Sequence, residues 1–297
     1  MFDFRLQVFH KVAKRLNFTK AAEELFITQP AVSKHIQEIE SFLKTKLFER
    51  NGSKVKLTKA GIILFSHTEK IFETYRNLEF EINSLSQNFN GKLRIGASTT
   101  IAQYLLPEIL ASFHKKFDQL IVSLEANNTE QIEIALQKNE IDLGIIEGKS
   151  KKAYLKYTEF VKDEIVLVSN STNPLSKRQN ITIDELKNIP LLFREQGSGT
   201  LEVIAHHLKS LNVKISDLKI EMQLGSTESI KNYILHSNTM AFISLHSIYK
   251  ELRENKFTII DVQHLSIERS FYFIQQQGQV EALPELFMKF ANHYNFK

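Results

Sequence analysis

Four short clusters of hydroxyl and amide side chains are the candidate ligand contacts of residues 91–297. They are Ser98-Thr99-Thr100, Asn127-Asn128-Thr129, Gln196-Gly197-Ser198-Gly199-Thr200 and Gly225-Ser226-Thr227. Each lies where a strand-like pattern gives way to a helical one. A helix start offers free backbone N–H groups and the positive end of the helix dipole, and added hydroxyls complete a site for a small anion without an obligatory cation. The chemistry implied is reversible binding of a carboxylate or oxyanion. Ser98, Thr99, Thr100, Asn128, Ser198, Gly199, Thr200 and Thr227 are the expected contacts. For any single turn, helix capping explains the same residues equally well; the case for a site rests on several turns meeting in one cleft. Arg194 reads either as a counter-charge to the ligand or as a partner of Glu195.

A second constellation lies near the N-terminus, where Gln29, Ser33 and Lys34 share one face of a helical pattern. Gln can pair bidentately with adenine, Ser serves either base type, and Lys suits guanine or a phosphate. Lys54 and Lys56 follow at strand spacing and are placed for phosphates. Solvated surface decoration is the alternative for each lysine.

The elements that must position these residues can be read from periodicity. Leu6, Phe9, Val12 and Ala13 give a first helix. Thr19 is the expected N-cap of a second, with Ala21, Ala22 and Leu25 buried, and Phe26-Ile27 forms an apolar turn. Thr28 caps a third helix with Pro30 in its first turn, burying Ala31, Val32, Ile36, Ile39 and Leu43. Two short helices joined by a tight turn, the second opening with small polar residues, form a helix-turn-helix. Asn51-Gly52 between short alternating segments predicts a hairpin wing. A long helix follows from Thr58 to about Gln87. Leu64, Ile71, Leu78 and Leu85 are seven apart, with Tyr75 and Ile82 between them and Thr68 as a polar break. Such a seam pairs with another chain or packs on the chain's own head. Asn88-Phe89-Asn90-Gly91 reads as a hinge.

Beyond the hinge, strand patterns at Lys92–Ala97, Ile121–Glu125, Ile141–Ile146, Glu164–Val168, Leu191–Phe193, Met240–Ile243 and Phe271–Ile274 alternate with helical ones, including Ile101–Phe117 and Leu283–Tyr294. That alternation predicts parallel α/β units. The expected fold class is α/β: a winged helix-turn-helix (1–58), a linker helix and hinge (59–90), and a two-lobed body like periplasmic binding proteins (91–297). Lobe I takes about 91–161 and 266–297, and lobe II about 162–265.

Bulk properties narrow the function. The chain has 297 residues and no Cys, so disulfides, thiolate metal sites and a Cys nucleophile are excluded. Residues 1–61 hold twelve Lys and Arg against six Asp and Glu, a net +6; the whole chain is +4, which leaves −2 for the rest. A basic head on a slightly acidic body expects a polyanion partner for the head alone. No apolar run reaches a membrane span, and the start lacks a signal-peptide pattern, so a cytoplasmic protein with no membrane contact is expected. No cofactor motif, metal site or catalytic constellation is visible. His206-His207, adjacent on a helix, diverge too far to share a metal, and the many Phe residues read as core.

Phe18-Thr19-Lys20-Ala21-Ala22-Glu23-Glu24-Leu25, Thr28-Gln29-Pro30-Ala31-Val32-Ser33-Lys34-His35-Ile36, Leu47-Phe48-Glu49-Arg50 and Leu57-Thr58-Lys59-Ala60-Gly61 together resemble the LysR-type transcriptional regulators. Many of those carry Arg where Lys34 stands, and Lys cannot make the same bidentate fork. The resemblance implies that Gln29, Ser33 and Lys34 read bases or adjacent backbone, that Thr28 and Arg50 hold phosphates, and that Thr28, Gln29, Pro30, Ser33, Lys34, Arg50, Lys54 and Lys56 form the DNA face. It also implies pairing of heads through the linker helix, a tetramer of two dimers, and a small-molecule effector in the body. The expected function is a sequence-specific DNA-binding transcription regulator, working on double-stranded promoter DNA beside RNA polymerase and answering an anionic effector. A ligand-independent regulator whose body serves only oligomerisation is the alternative.

Overall fold

The computed structural model describes residues 3–51, 54–85, 90–178, 180–278 and 282–294. Two compact units divide the chain, Met1–Ile82 and Asn83–Lys297.

The first unit contains α1 (Phe4–Arg15), α2 (Phe18–Leu25), α3 (Gln29–Leu43), β1 (Phe48–Asn51), β2 (Lys54–Leu57) and most of α4 (Lys59–Leu85). Its core joins Val8, Phe9 and Val12 to Ala21, Ala22, Val32, Ile36, Ile39, Leu47 and Phe48. Small Ala21 and Ala22 let the three helices approach closely. Two expectations on the third helix are corrected: Ala31, in the first turn beside exposed Pro30, is only half-buried, and Leu43 is 42% exposed because α3 extends past the core at its C-terminal end. The cap of α2 is also corrected. Leu16 turns in the left-handed region at φ 47°, so Asn17 is the first extended residue, and its side chain accepts the Lys20 N–H at 3.0 Å. Thr19 lies inside the helix. Thr28 does cap α3, its hydroxyl accepting the Ala31 N–H at 3.3 Å, with Pro30 in the first turn.

Strands β1 and β2 pair antiparallel from Phe48↔Leu57 to Asn51↔Lys54. Gly52 and Ser53, at the expected turn, lie outside the described residues, as do the side chains of Arg50 and Lys54. Buried Glu40 fixes the entry to the hairpin: one carboxylate oxygen accepts the Leu47 N–H at 2.9 Å and the other takes Lys46 Nζ at 2.6 Å. Thr58 opens α4, accepting the Gly61 N–H at 3.0 Å and donating to the Lys46 carbonyl at 2.6 Å. Ile71, Leu78 and Ile82 present an exposed apolar row along α4. Thr68 is buried and donates to the Phe65 carbonyl at 2.9 Å, so this position faces inward and does not interrupt the row. The Leu85 side chain and residues 86–89 of the expected hinge are outside the described residues.

The second unit runs β3 (Gly91–Ser98), α5 (Thr99–Tyr104), α6 (Leu106–Lys116), β4 (Leu120–Asn127), α7 (Thr129–Gln137), β5 (Leu143–Glu147), β6 (Leu155–Asn170), β7 (Asn180–Ile181), α8 (Ile183–Asn188), β8 (Leu191–Arg194), α9 (Gly199–Ser210), β9 (Ile220–Leu224), α10 (Thr227–Leu235), β10 (Met240–Ser244), α11 (Tyr249–Arg253), β11 (Phe257–Ile259), β12 (Asp261–Val262), β13 (Ile267–Gln276) and α12 (Ala282–Asn292). One sheet carries nearly all of it, in the order β4-β3-β5-β13-β6-β10-β8-β9, with β11 also on β6. The strands β4, β3 and β5 are parallel, as are β10, β8 and β9. Between these sets, β13 and β6 run antiparallel to each other and to their outer neighbours. Two parallel lobes are thus joined by a two-stranded antiparallel ribbon.

Two expected elements differ. The helical pattern over 101–117 splits into α5 and α6 at Leu105, just before Pro107, whose ring cannot continue the helical hydrogen bonds. The strand expected at Glu164–Val168 is 16 residues long. Its first half, Leu155–Lys162, mixes polar and apolar residues because it crosses between lobes, half-covered, before entering the second core. Lobe II packs Ile165, Leu167, Leu191, Phe193, Val203, Ile204 and Phe242. In lobe I, Phe113 meets Phe287 edge-on at 5.1 Å between ring centroids, which seats α12 on α6.

Replacing Glu40 with Ala strands the buried Leu47 N–H and should destabilise the head by about 1–3 kcal/mol. Urea unfolding of the first unit's transition reads it; an unchanged midpoint would show that the hairpin entry does not depend on this carboxylate.

Candidate functional site

The four hydroxyl-rich turns converge in the second unit, and their capping chemistry separates them. Asn128 caps through its Oδ1, which accepts the Gln131 N–H at 3.0 Å in a reciprocal capping box. Ser226 accepts the Ser229 N–H at 3.1 Å. Ser98 and Ser198 occupy the N-cap positions of α5 and α9, yet neither makes a side-chain cap bond. Ser98 donates instead to the Glu147 carboxylate. The Ser198 hydroxyl is buried with no hydrogen-bond partner, and so is that of Thr99. Thr100 and Thr227, one from each lobe, place their hydroxyls 3.3 Å apart. Asn128 reaches across to the Gln196 carbonyl at 3.5 Å.

Glycine makes the loop before α9 possible. Gly197 has φ +85°, a conformation side chains disfavour. Gly199 packs so tightly that a Cβ would lie 2.1 Å from the Glu147 carbonyl oxygen and 2.6 Å from the Thr129 hydroxyl. The end of β5, the start of α7 and the start of α9 therefore meet backbone to backbone.

Beneath these hydroxyls lies a charged cluster that sequence reasoning missed. Arg269 on β13 and Asp163 on β6 are register partners, and Arg269 Nε donates to Asp163 at 2.7 Å. Arg269 Nη1 donates to the Thr200 hydroxyl at 2.9 Å and stands 3.6 Å from Glu147. Thr200 in turn donates to Glu147 at 3.1 Å, and Ser244 donates to Asp163 at 2.8 Å. The side chains of Glu147, Asp163 and Arg269 are each at most 1% exposed. Isolated buried charges cost far more than paired ones, which explains why each carboxylate gathers hydroxyl donors around a shared guanidinium. Only strand register brings 163 and 269 together; no sequence motif marks them, though acidic and basic residues inside apolar strand patterns were the available signal.

A second bridge joins the lobes beside Thr100 and Thr227. The Tyr104 hydroxyl at the end of α5 donates to Glu228 on α10. Lys231 reaches Glu228 at 3.0 Å, Glu251 at 2.9 Å and the Ser247 carbonyl at 2.8 Å, and its ammonium lies 4.9 Å from the Tyr104 ring centroid. Burial first, then the Glu228 carboxylate, pushes the Tyr104 phenol well above its usual range. For Glu228, burial raises the carboxyl, but bonds from Tyr104 and Lys231 outweigh it and hold it below its ordinary value. Arg194 is mostly a partner of Glu195, with two bonds at 2.8 and 2.9 Å, while its Nη1 is buried and unpartnered. His207 bonds the Val203 carbonyl of its own helix at 2.9 Å. No group of three His, Asp or Glu that could hold a metal occurs among the described residues.

In the head, Gln29 donates to the Ser33 hydroxyl at 2.9 Å. Both are half-buried, while Pro30, Lys34 and Gln37 are exposed along the same helix and Lys56 is exposed on β2. The side chains of Arg50 and Lys54 are not among those described.

Comparison with known proteins places these features in a wider set. A family profile described as the LysR substrate binding domain matches residues 86–294, and one described as the bacterial regulatory helix-turn-helix protein, lysR family, matches residues 4–62. The chain is 30% identical over 269 residues to the HTH-type transcriptional regulator CysL of Bacillus subtilis, covering 91% of this chain and 89% of that one. The CcmR regulatory domain of Synechocystis PCC6803, solved in complex with 2-PG, is 29% identical with a TM-score of 0.62, covering 68% of this chain and 96% of that domain. Full-length CbnR, solved with its target DNA, shares the fold at a TM-score of 0.65 and 15% identity, covering 98% of this chain and 99% of that one.

Replacing Arg269 with Met leaves Asp163 and Glu147 buried without their shared counter-charge. The body should lose about 3–5 kcal/mol, the usual effect of breaking a buried pair. Adding Asp163→Asn should restore a large part of that loss. Denaturant unfolding of both variants measures it, and a single variant as stable as the parent would show the cluster to be energetically idle.

Proposed function

The chain belongs to the LysR family of transcriptional regulators, and from that membership we propose a specific division of labour. Helix α3 enters the major groove of promoter DNA with its N-terminus leading, and a small anion binds between the two lobes of the body. Gln29 and Ser33 read base edges, exchanging their mutual hydrogen bond for bonds to bases. Lys34 reaches a base or phosphate, and Thr28, Pro30, Arg50, Lys54 and Lys56 set the helix against the backbone. The net +6 of residues 1–61 supplies the sequence-independent attraction.

One observation carries the effector reading: hydroxyls from both lobes meet at strand-to-helix turns, and those of Thr99 and Ser198 are buried yet unpartnered. Buried polar groups are nearly always satisfied, so two orphans at one junction favour a ligand that completes them. The complex of the CcmR domain with 2-PG supports a small anionic effector. Ser98, Thr99, Thr100, Ser198, Thr200 and Thr227 surround it, Asn128 borders it, and Gly199 lets the backbone close in.

Ligand binding shifts the relative orientation of the lobes by favouring one of the available arrangements. In an oligomer paired through the exposed row of α4, that shift alters how two heads meet DNA and how they contact RNA polymerase. No helix among the described residues is long and apolar enough to cross a membrane, and a cytoplasmic regulator acting as a dimer or tetramer fits these partners.

Replacing Gln29 with Ala should reduce discrimination between operator and random DNA by roughly tenfold, the scale of one bidentate base contact. Equal loss on both DNAs in fluorescence anisotropy would contradict base reading. Thr100→Ala should abolish most of the thermal stabilisation by 2-PG or a related small carboxylate while basal operator affinity stays intact. Loss of operator binding would reassign Thr100 to folding, and an unchanged shift would remove it from the site.

A further inference from the structure

We propose that Glu147 makes the cleft select an oxyanion that brings its own proton donor, such as a hydrogenphosphate or a hydroxylated acid, over a fully ionised one such as sulfate. This inference rests on the anionic-effector reading above and adds the chemical class.

The argument starts from where the hydroxyl protons go. Ser98 from lobe I donates to one oxygen of Glu147, and Thr200 from lobe II donates to the other at 3.1 Å. Those two protons are therefore committed to a carboxylate that belongs to the protein. Ser98 keeps lone pairs for the cleft and Thr200 keeps one, its other being taken by Arg269 Nη1 at 2.9 Å, and lone pairs repel an anion's oxygens. The unpartnered hydroxyls of Thr99 and Ser198, the unpartnered Arg194 Nη1 and Arg269 Nη2, and the backbone N–H groups at the start of α9 are the donors left for ionised ligand oxygens.

Charge balance points the same way. Arg269 is the only guanidinium in contact with Glu147 among the described residues, and it also carries Asp163 at 2.7 Å. Two acidic side chains thus share one guanidinium beneath the hydroxyls. At low effective dielectric a second anion placed there is repelled strongly. A proton between Glu147 and the ligand reverses the sign of that interaction, because a hydroxyl donating to a carboxylate is a short, charge-assisted bond. Glu147 Oε1 takes the Thr200 hydroxyl and faces Arg269 Nη1 at 3.6 Å, while Oε2 takes the Ser98 hydroxyl, which leaves a lone-pair site on Oε2 for such a donor. Sulfate near neutral pH has no proton to give, whereas inorganic phosphate of the same shape always has one.

Isothermal titration of the full-length chain at about pH 7.5 and matched ionic strength, with sodium phosphate and with sodium sulfate, tests this. The wild-type protein should bind phosphate roughly tenfold or more tightly than sulfate. Glu147→Gln keeps the side chain's size, removes its charge and supplies an N–H donor; the preference should fall to about threefold or reverse. Equal binding of the two anions by the wild type, or an unchanged ratio in Glu147→Gln, would overturn the inference while leaving the anion site standing. Failure of both anions to bind the wild type would overturn the anion reading and the inference together. Should Glu147→Gln fail to fold on a thermal melt, the wild-type ratio alone decides the matter.

Discussion

The arrangement of the body depends on one buried contact, the pairing of Arg269 with Asp163 across the two strands that join the lobes. These residues are opposed in the β13–β6 register, so a slip by one residue would send one of them to the opposite face and leave a lone charge in the core. The ion pair therefore fixes register, and register fixes which hydroxyls meet. Thr200 from one lobe and Glu147 from the other find the same guanidinium. The cluster favours a single alignment of the ribbon.

Capping chemistry separates hydroxyls that hold the fold from hydroxyls that are available. Asn128 and Ser226 act as helix caps. Ser98 and Ser198 stand at the same kind of position and do not cap. Helices α5 and α9 thus begin without the usual side-chain satisfaction of their first amides, a local cost of the order of 1 kcal/mol each. Folds tolerate such departures from local rules mainly where another partner is meant to take the place of the cap.

The elements that local rules govern were the most legible in the sequence. Thr28 and Pro30 announced α3, Ala21 and Ala22 announced a close helix crossing, and the alternation of strands and helices announced the α/β body. Errors arose where a neighbour in space outweighed a neighbour in sequence. Asn17 displaced Thr19 as a cap because Leu16 had already turned the chain. Leu43 reads as core by spacing but projects beyond the end of the helical bundle. The full length of β6 was hidden because a half-covered crossover strand loses the continuous apolar pattern of its buried half. At the candidate site, the turns were visible as composition, but Glu147, Asp163 and Arg269 were not: 106 residues separate the last two, and only the fold makes them adjacent.

The antiparallel ribbon also governs what kind of motion the body can make. Both connections between lobes are strands of one continuous sheet, hydrogen-bonded to each other over ten register pairs with a single irregularity at Phe271/Tyr272. The lobes cannot slide apart or swing on a slack tether, since either movement would tear ladder bonds. What remains is torsion: the ribbon can wind or unwind by small angles, most easily at the irregular step. The body is then a stiff spring with a short stroke, suited to turning a small ligand's binding energy into a slight rotation and unsuited to wide opening.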